Sequence, residues 1–216
     1  MYGVKLRIWG DYGCFTRPEM KVERVSYDVI TPSASRGILE AIYWKPEIKW
    51  VIDKIHVLKP IKFTNIRRNE LSSKISVSNV KSAMKNGFME SLFIEDERQQ
   101  RAAMVLKNVE YVIEAHFEII SGDPNEGKHL DQFNRRAKKG QCYHQPVLGC
   151  REFSANFELV DNDIPNAIDE TRDLSWMLYD MDFASNLTEP PALFYYVKMV
   201  KGIIDVQKCL KESERR

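Results

Sequence analysis

The 216-residue chain is 44% apolar and 29% charged, with a formal net charge of +1. That is enough apolar surface for one good core, or for a core domain with a small satellite. No run approaches the length of a membrane span, and the opening GVKLRIWG alternates like a strand rather than reading as a signal peptide, so a cytoplasmic protein with no membrane partner is expected.

In that first strand Val4, Leu6 and Ile8 alternate with Lys5, Arg7 and Trp9. A loop from Cys14 follows, in which Arg17, Lys21 and Arg24 stand with Phe15 and Tyr27, cations for phosphates beside rings for bases. Thr31 as N-cap and Pro32 at the first helical position open a helix with the apolar stripe Ala34, Ile38, Ala41 and Ile42, and Pro46 stops it shortly after Tyr43. Trp50 to Phe63 reads as a longer strand that bends or meets an edge near Pro60. From Thr64 to Glu97 the chain is polar and serine-rich, an insertion in which Ser78 caps a short helix ending at Gly87.

Ala102 to Leu106 and Val109 to Ile120 are strands separated at Lys107 and Asn108 by a hairpin turn or a bulge. In the second, Val109, Tyr111, Ile113, Ala115, Phe117 and Ile119 line one face, and Glu110, Val112, Glu114, His116 and Glu118 the other. Gly122, Asp123 and Pro124 make the turn out. Leu130, Phe133 and Ala137 then give a helix a narrow apolar stripe beneath Lys128, Arg135, Arg136, Lys138 and Lys139, and Phe153 to Val160 is another strand.

This βαββαβ order predicts an α+β protein with a ferredoxin-like (RRM-like) domain over residues 1–160, carrying the polar insertion near 64–97. An acidic linker then leads to strands at Trp176 to Phe183, Phe194 to Val200 and Ile203 to Val206, a small C-terminal antiparallel β-sheet over 161–216 that ends in a hairpin around Lys201 and Gly202.

The small net charge hides an asymmetry. Lys59, Lys62, Arg67 and Arg68 form an acid-free run, whereas between Glu158 and Glu189 Arg172 is the only basic residue, so one side is expected to face RNA and the other water or protein. Glycine-rich phosphate loops, paired metal-binding carboxylates and a nucleophile elbow are absent. Cys14, Cys142, Cys150 and Cys209 form no CxxC pair, and Cys142, His144 and Cys150 lack a fourth ligand at a common zinc spacing, so neither metal nor cofactor is expected.

General acid–base chemistry remains. His116 has Glu114 and Glu118 two residues away on its own face, carboxylates that favour the imidazolium and suit it to protonate a leaving oxygen; the alternative is a surface histidine in an acidic strip. Tyr43 ends a helix, as a functional side chain or as a core-edge tyrosine. His56 reads as packing, His129 and His144 as flanking a basic helix within reach of phosphate, and Trp9 and Trp44 as core or sheet-face residues.

The segments FTRPEMKVERVSYDVITPSASRGILEAIYWKP, NVEYVIEAHFEI and VLGCREFSANFEL closely resemble the type I-C CRISPR-associated Cas5 family, subtype d or c, of the repeat-associated mysterious protein superfamily. The resemblance covers nearly the whole chain. It implies an endoribonuclease that cuts the repeat stem-loop of CRISPR precursor RNA without metal, by attack of a ribose 2′-hydroxyl on the adjacent phosphate. It also implies that the protein keeps the 5′ handle of the mature guide RNA within the type I-C Cascade complex, among its other subunits.

The family's catalytic tyrosine and histidine match Tyr43 and His116, whereas Ala115 stands where the family places a lysine. Lys21, Arg24 or Lys45 is expected to supply that charge. The candidate RNA-binding residues are Arg17, Lys21, Arg24, Arg36, Lys45, Arg67, Arg68, Lys128, Arg135 and Arg136. The alternative to the nuclease is a non-catalytic subunit that grips the handle.

Overall fold

The computed structural model describes residues 3–20, 22–89, 91, 93–122, 125–161, 163–185, 188 and 190–215. Helices and antiparallel sheet alternate along it: β1 (Gly3–Gly13), α1 (Pro32–Ile42), β2 (Ile48–Val57), β3 (Phe63–Leu71), α2 (Val77–Asn86), β4 (Arg98–Ile119), α3 (Glu126–Lys138), β5 (Asn156–Leu159), β6 (Arg172–Met181), β7 (Ala192–Met199), β8 (Ile203–Asp205) and α4 (Val206–Ser213). The main sheet runs β5-β1-β4-β2-β8, with β3 paired to β4 outside that path, and β6 and β7 form a separate two-stranded ribbon.

Val4, Leu6 and Ile8 are buried as the alternation of β1 requires. α1 begins where expected, because the Thr31 hydroxyl accepts from the Ala34 N–H at 3.2 Å and Pro32 has no N–H to satisfy. At its other end the Tyr43 N–H still donates to Leu39 O, but Tyr43 itself is extended, so the helix stops there. α1 and α3 pack on the face of the sheet that carries Ile55, Ile113 and Phe117. There Trp50 meets Phe117 and Phe133 with ring centroids 5.4 and 4.9 Å apart. Leu6, Ile8, Ile38, Leu39, Ile42, Ile55, Ile113 and Phe133 are all fully buried between these layers.

Several boundaries differ from the sequence reading. The long strand from Trp50 stops at Val57, and Phe63 opens β3 after the bend at Pro60. The polar stretch after Thr64 is a strand because it pairs in register with β4, from Phe63 opposite Leu106 to Leu71 opposite Arg98, as a ribbon in which no β3 residue is buried. β4 is one strand and not two. Asn108 takes a left-handed φ of 53°, and there the neighbour of β4 on one side changes from β3 to β2. α2 starts after Ser76, not Ser78, and ends at left-handed Gly87 as expected. The turn residues Asp123 and Pro124 lie outside the described residues.

In the C-terminal part, Lys201 and Gly202 both have positive φ, as a tight hairpin turn demands. The strand that follows, β8, does not stay in the C-terminal sheet but pairs with β2 at the edge of the main sheet, and the chain goes on into α4, capped by Asp205 on the Lys208 N–H. Leu174, Met177, Tyr195, Val197, Met199 and Ile204 join the same apolar cluster as the main sheet.

Candidate active site and nucleic-acid interface

The two catalytic candidates occupy opposite faces of the sheet. Phe117 points to the helices, so His116, one residue earlier on the same strand, points to the open face. Tyr43 lies on the helix side. The two residues matched to the family's catalytic pair therefore do not meet, and each has a different partner.

On the open face, β2 changes register against β4 between Ile52 and Lys54, which leaves Asp53 as an extra residue. Its carboxylate reaches His116, with Nδ1 at 2.8 and 3.0 Å from the two carboxylate oxygens. The His116 side chain is 11% exposed and that of Asp53 34%. A carboxylate only accepts, so Nδ1 donates and Nε2 is left as the working nitrogen. Glu114, expected to support His116, is instead held by His56 Nε2 at 2.6 Å. His56 thus stands on the polar face in a hydrogen bond to a carboxylate rather than in apolar packing. Further along this face Arg7 bridges Glu110 and Glu158 and lies over Trp9, 5.2 Å from the ring centroid.

On the helix face Tyr43 is buried, and its hydroxyl meets His129 Nδ1 at 2.9 Å. Burial pushes the phenol pKa up, and the nearby Arg136 charge opposes that shift. The Arg136 guanidinium carbon sits 5.3 Å from the Tyr43 ring centroid, and Nη1 donates to Ile42 O at 2.8 Å, so Arg136 ties α3 to the end of α1. Trp50 Nε1 donates to Tyr43 O at 3.0 Å. His129 is 2% exposed, which removes it from contact with phosphate, while His144 is exposed.

Several of the basic candidates meet carboxylates in the fold, and others are exposed. Arg17 pairs with Asp28 at 3.3 Å and stacks 4.6 Å from the Tyr27 ring centroid. Arg24 faces Cys150, Glu152 and Glu70, Arg36 holds Glu40 and Asp180, and Arg68 holds Glu70 and Glu152. Lys45, Arg67, Lys128 and Arg135 are exposed, and Lys21 lies outside the described residues. Phe15 and Tyr27 are 3% and 2% exposed and belong to the core, so neither ring is presented to bases. The loop turns back on itself, with the Tyr27 N–H donating to Phe15 O and the Phe15 N–H to Ser26 Oγ, and that buries both rings. Trp44, read as core or sheet face, is 57% exposed beside Lys45.

One cluster had no sequence signal because its members are far apart in the chain. Gly149, at φ 87°, lies against the Cys14 carbonyl so closely that any Cβ would overlap it, and this brings Cys150 beside Cys14. Thr16 Oγ1 is 3.6 Å from Cys14 Sγ and 3.9 Å from Cys150 Sγ, and Arg24 Nη1 is 3.3 Å from Cys150 Sγ. The Cys14 thiol, then Arg24 and Thr16, donate to Cys150 and lower its pKa to about 6 against the opposing effect of burial, whereas Cys14 is pushed up by Cys150 and by burial.

A family model described as CRISPR-associated protein (Cas_Cas5) matches residues 3–207. The CRISPR pre-crRNA endoribonuclease Cas5d of Mannheimia succiniciproducens is 55% identical, over 99% of this chain and 98% of its own length. The protein of the same name from Thermus thermophilus is 42% identical over 90% of this chain and 80% of its own length. Among solved structures, a CRISPR-associated protein superposes with a TM-score of 0.69 at 21% identity, covering 99% of this chain and 95% of that one. A functionally uncharacterized protein from Streptococcus mutans superposes with a TM-score of 0.66 at 22% identity, covering 96% and 95%. These likenesses in structure concern the fold; the matches in sequence decide the family, and the chain belongs to the CRISPR-associated Cas5 family, in its Cas5d branch.

Proposed function

We propose that the chain is a pre-crRNA endoribonuclease that cuts CRISPR repeat RNA without a metal ion and then holds the 5′ handle of the guide RNA as a Cascade subunit. The observation that carries this is the 55% identity, over 99% of the chain, to a protein named for that activity. The fold behind it is ferredoxin-like over 1–160, with the insertion near 64–97 and a small second part over 161–216. The β5-β1-β4-β2 order and the two helices on one face support that reading, and β8 ties the second part to the edge of the first. A cytoplasmic setting belongs to the same proposal; among the described residues no helix is long and apolar enough to cross a membrane.

In the reaction the 2′-oxygen bonds to phosphorus as the bond from phosphorus to the 5′-oxygen breaks. The products are a 2′,3′-cyclic phosphate and a 5′-hydroxyl. The imidazolium of His116 gives its Nε2 proton to the departing 5′-oxygen, and the 2′-hydroxyl proton passes to water. Lys5 and Lys54 stand opposite Glu114, and Lys49 opposite Glu118, on the face that His116 shares, so the cation missing at Ala115 is sought there. Arg24 is committed to Cys150 and Glu152, and Lys45 follows the end of α1 on the other side of the sheet. Tyr43 takes part only if its hydroxyl leaves His129, which makes His116 the principal catalytic candidate.

The separation of Tyr43 from His116 favours a second reading, a subunit that grips the handle without cutting. Incubating the purified protein with its cognate repeat RNA in EDTA tests the two. Cleavage that leaves a cyclic phosphate supports the nuclease; tight binding without cleavage supports the gripping subunit.

A further inference from the structure

Four acidic groups stand near His116 in sequence or across the strands, and one of them is free to orient it. Glu114, two residues before it on β4, accepts from His56 Nε2 at 2.6 Å. Glu118, two residues after it, is exposed and lies opposite Lys49. Glu110 is bound by Arg7 at the far side of the face. Opposite His116, β1 offers Gly3, which has no side chain, and β2 offers Val51. Asp53 reaches the ring because it follows Val51 by two residues on the open face of β2, and the register shift between Ile52 and Lys54 leaves it without a paired residue of its own on β4.

From this geometry we infer that Asp53 is a positioning residue for RNA cleavage: its carboxylate fixes Nδ1 of His116 as the buried donor and so aims Nε2 at the scissile phosphate. The inference rests on the reading of His116 as the proton donor. Asp53 touches no reacting atom. It holds the ring orientation from which Nε2 gives its proton to the 5′-oxygen.

The test is single-turnover cleavage of cognate repeat RNA by the full chain, as wild type, Asp53→Asn, and His116→Ala. Asp53→Asn should lower kcat about 10²-fold with KM unchanged, since the amide keeps the shape and loses the charge and the defined tautomer. A second measurement needs no substitution: in 15N-histidine-labelled wild-type protein, the neutral His116 ring should carry its proton on Nδ1. If His116→Ala is inactive while Asp53→Asn cuts at the wild-type kcat, or loses only KM, the positioning role is overturned. A neutral ring protonated on Nε2 overturns it as well. If His116→Ala cuts like wild type, the reading of His116 itself fails, and the inference falls with it.

Discussion

The two faces of the main sheet hold similar side chains in different states. On the helix face a tyrosine, a histidine and an arginine are locked into one buried assembly, Tyr43 to His129 and Arg136 to the end of α1. On the open face nearly buried histidines meet partly exposed carboxylates, His116 with Asp53 and His56 with Glu114. A polar group inside a packed layer must be satisfied internally, and removing its partner costs folding energy. On the open face the rings are nearly buried, but the carboxylates that hold them reach solvent, which leaves His116 Nε2 free of a fixed internal partner. The comparison teaches where to expect which defect: substitutions on the helix face should cost stability, and those on the open face should cost rate.

The largest effect on stability should follow Phe133→Ala, which empties the space beside Trp50 and should destabilise by about 3–5 kcal/mol in denaturant titration. His129→Ala strands the Tyr43 hydroxyl in a buried site and should cost about 1–3 kcal/mol by the same measurement. Tyr43→Phe removes only the hydroxyl and should cost about 1 kcal/mol. If Tyr43→Phe instead leaves stability intact and abolishes cleavage, the helix face carries chemistry and the division between the faces is broken.

The smallest effect concerns neither face. With the Cys150 pKa held at about 6, its alkylation by iodoacetamide should already be near its plateau at neutral pH and should fall as the pH drops below that value. Cys14, pushed upward, should stay unmodified at neutral pH. Peptide mass spectrometry after timed alkylation reads both, and Arg24→Gln should move the Cys150 midpoint upward because it removes a hydrogen bond to the sulfur.

Much of the fold was legible because it rests on local chemistry. The alternation of Val4, Leu6 and Ile8, the Thr31 cap with Pro32, and the turn at Lys201 and Gly202 each fix backbone geometry within a few residues. What the sequence did not convey depends on partners distant in the chain. Asp53 reaches His116 because β2 pairs with β4, a juxtaposition that no residue type announces. His129 adjoins the apolar stripe of Leu130, Phe133 and Ala137, yet it is more buried than Leu130 because the helix face turns it toward Tyr43. Phe15 and Tyr27 look like stacking platforms beside cations until the loop folds back and buries them. The same holds for the arginines. Arg24, Arg36 and Arg68 read as phosphate ligands from composition, and carboxylates from other elements occupy them in the fold.

The central claim is that the open face cleaves RNA through His116, and it is tested most directly by the single-turnover rate of repeat-RNA cleavage by His116→Ala in EDTA. The account predicts that wild-type protein cuts to a cyclic phosphate, while the variant binds the RNA, melts at the wild-type temperature and cuts about 10²- to 10⁴-fold more slowly. A variant that cuts at the wild-type rate would contradict it.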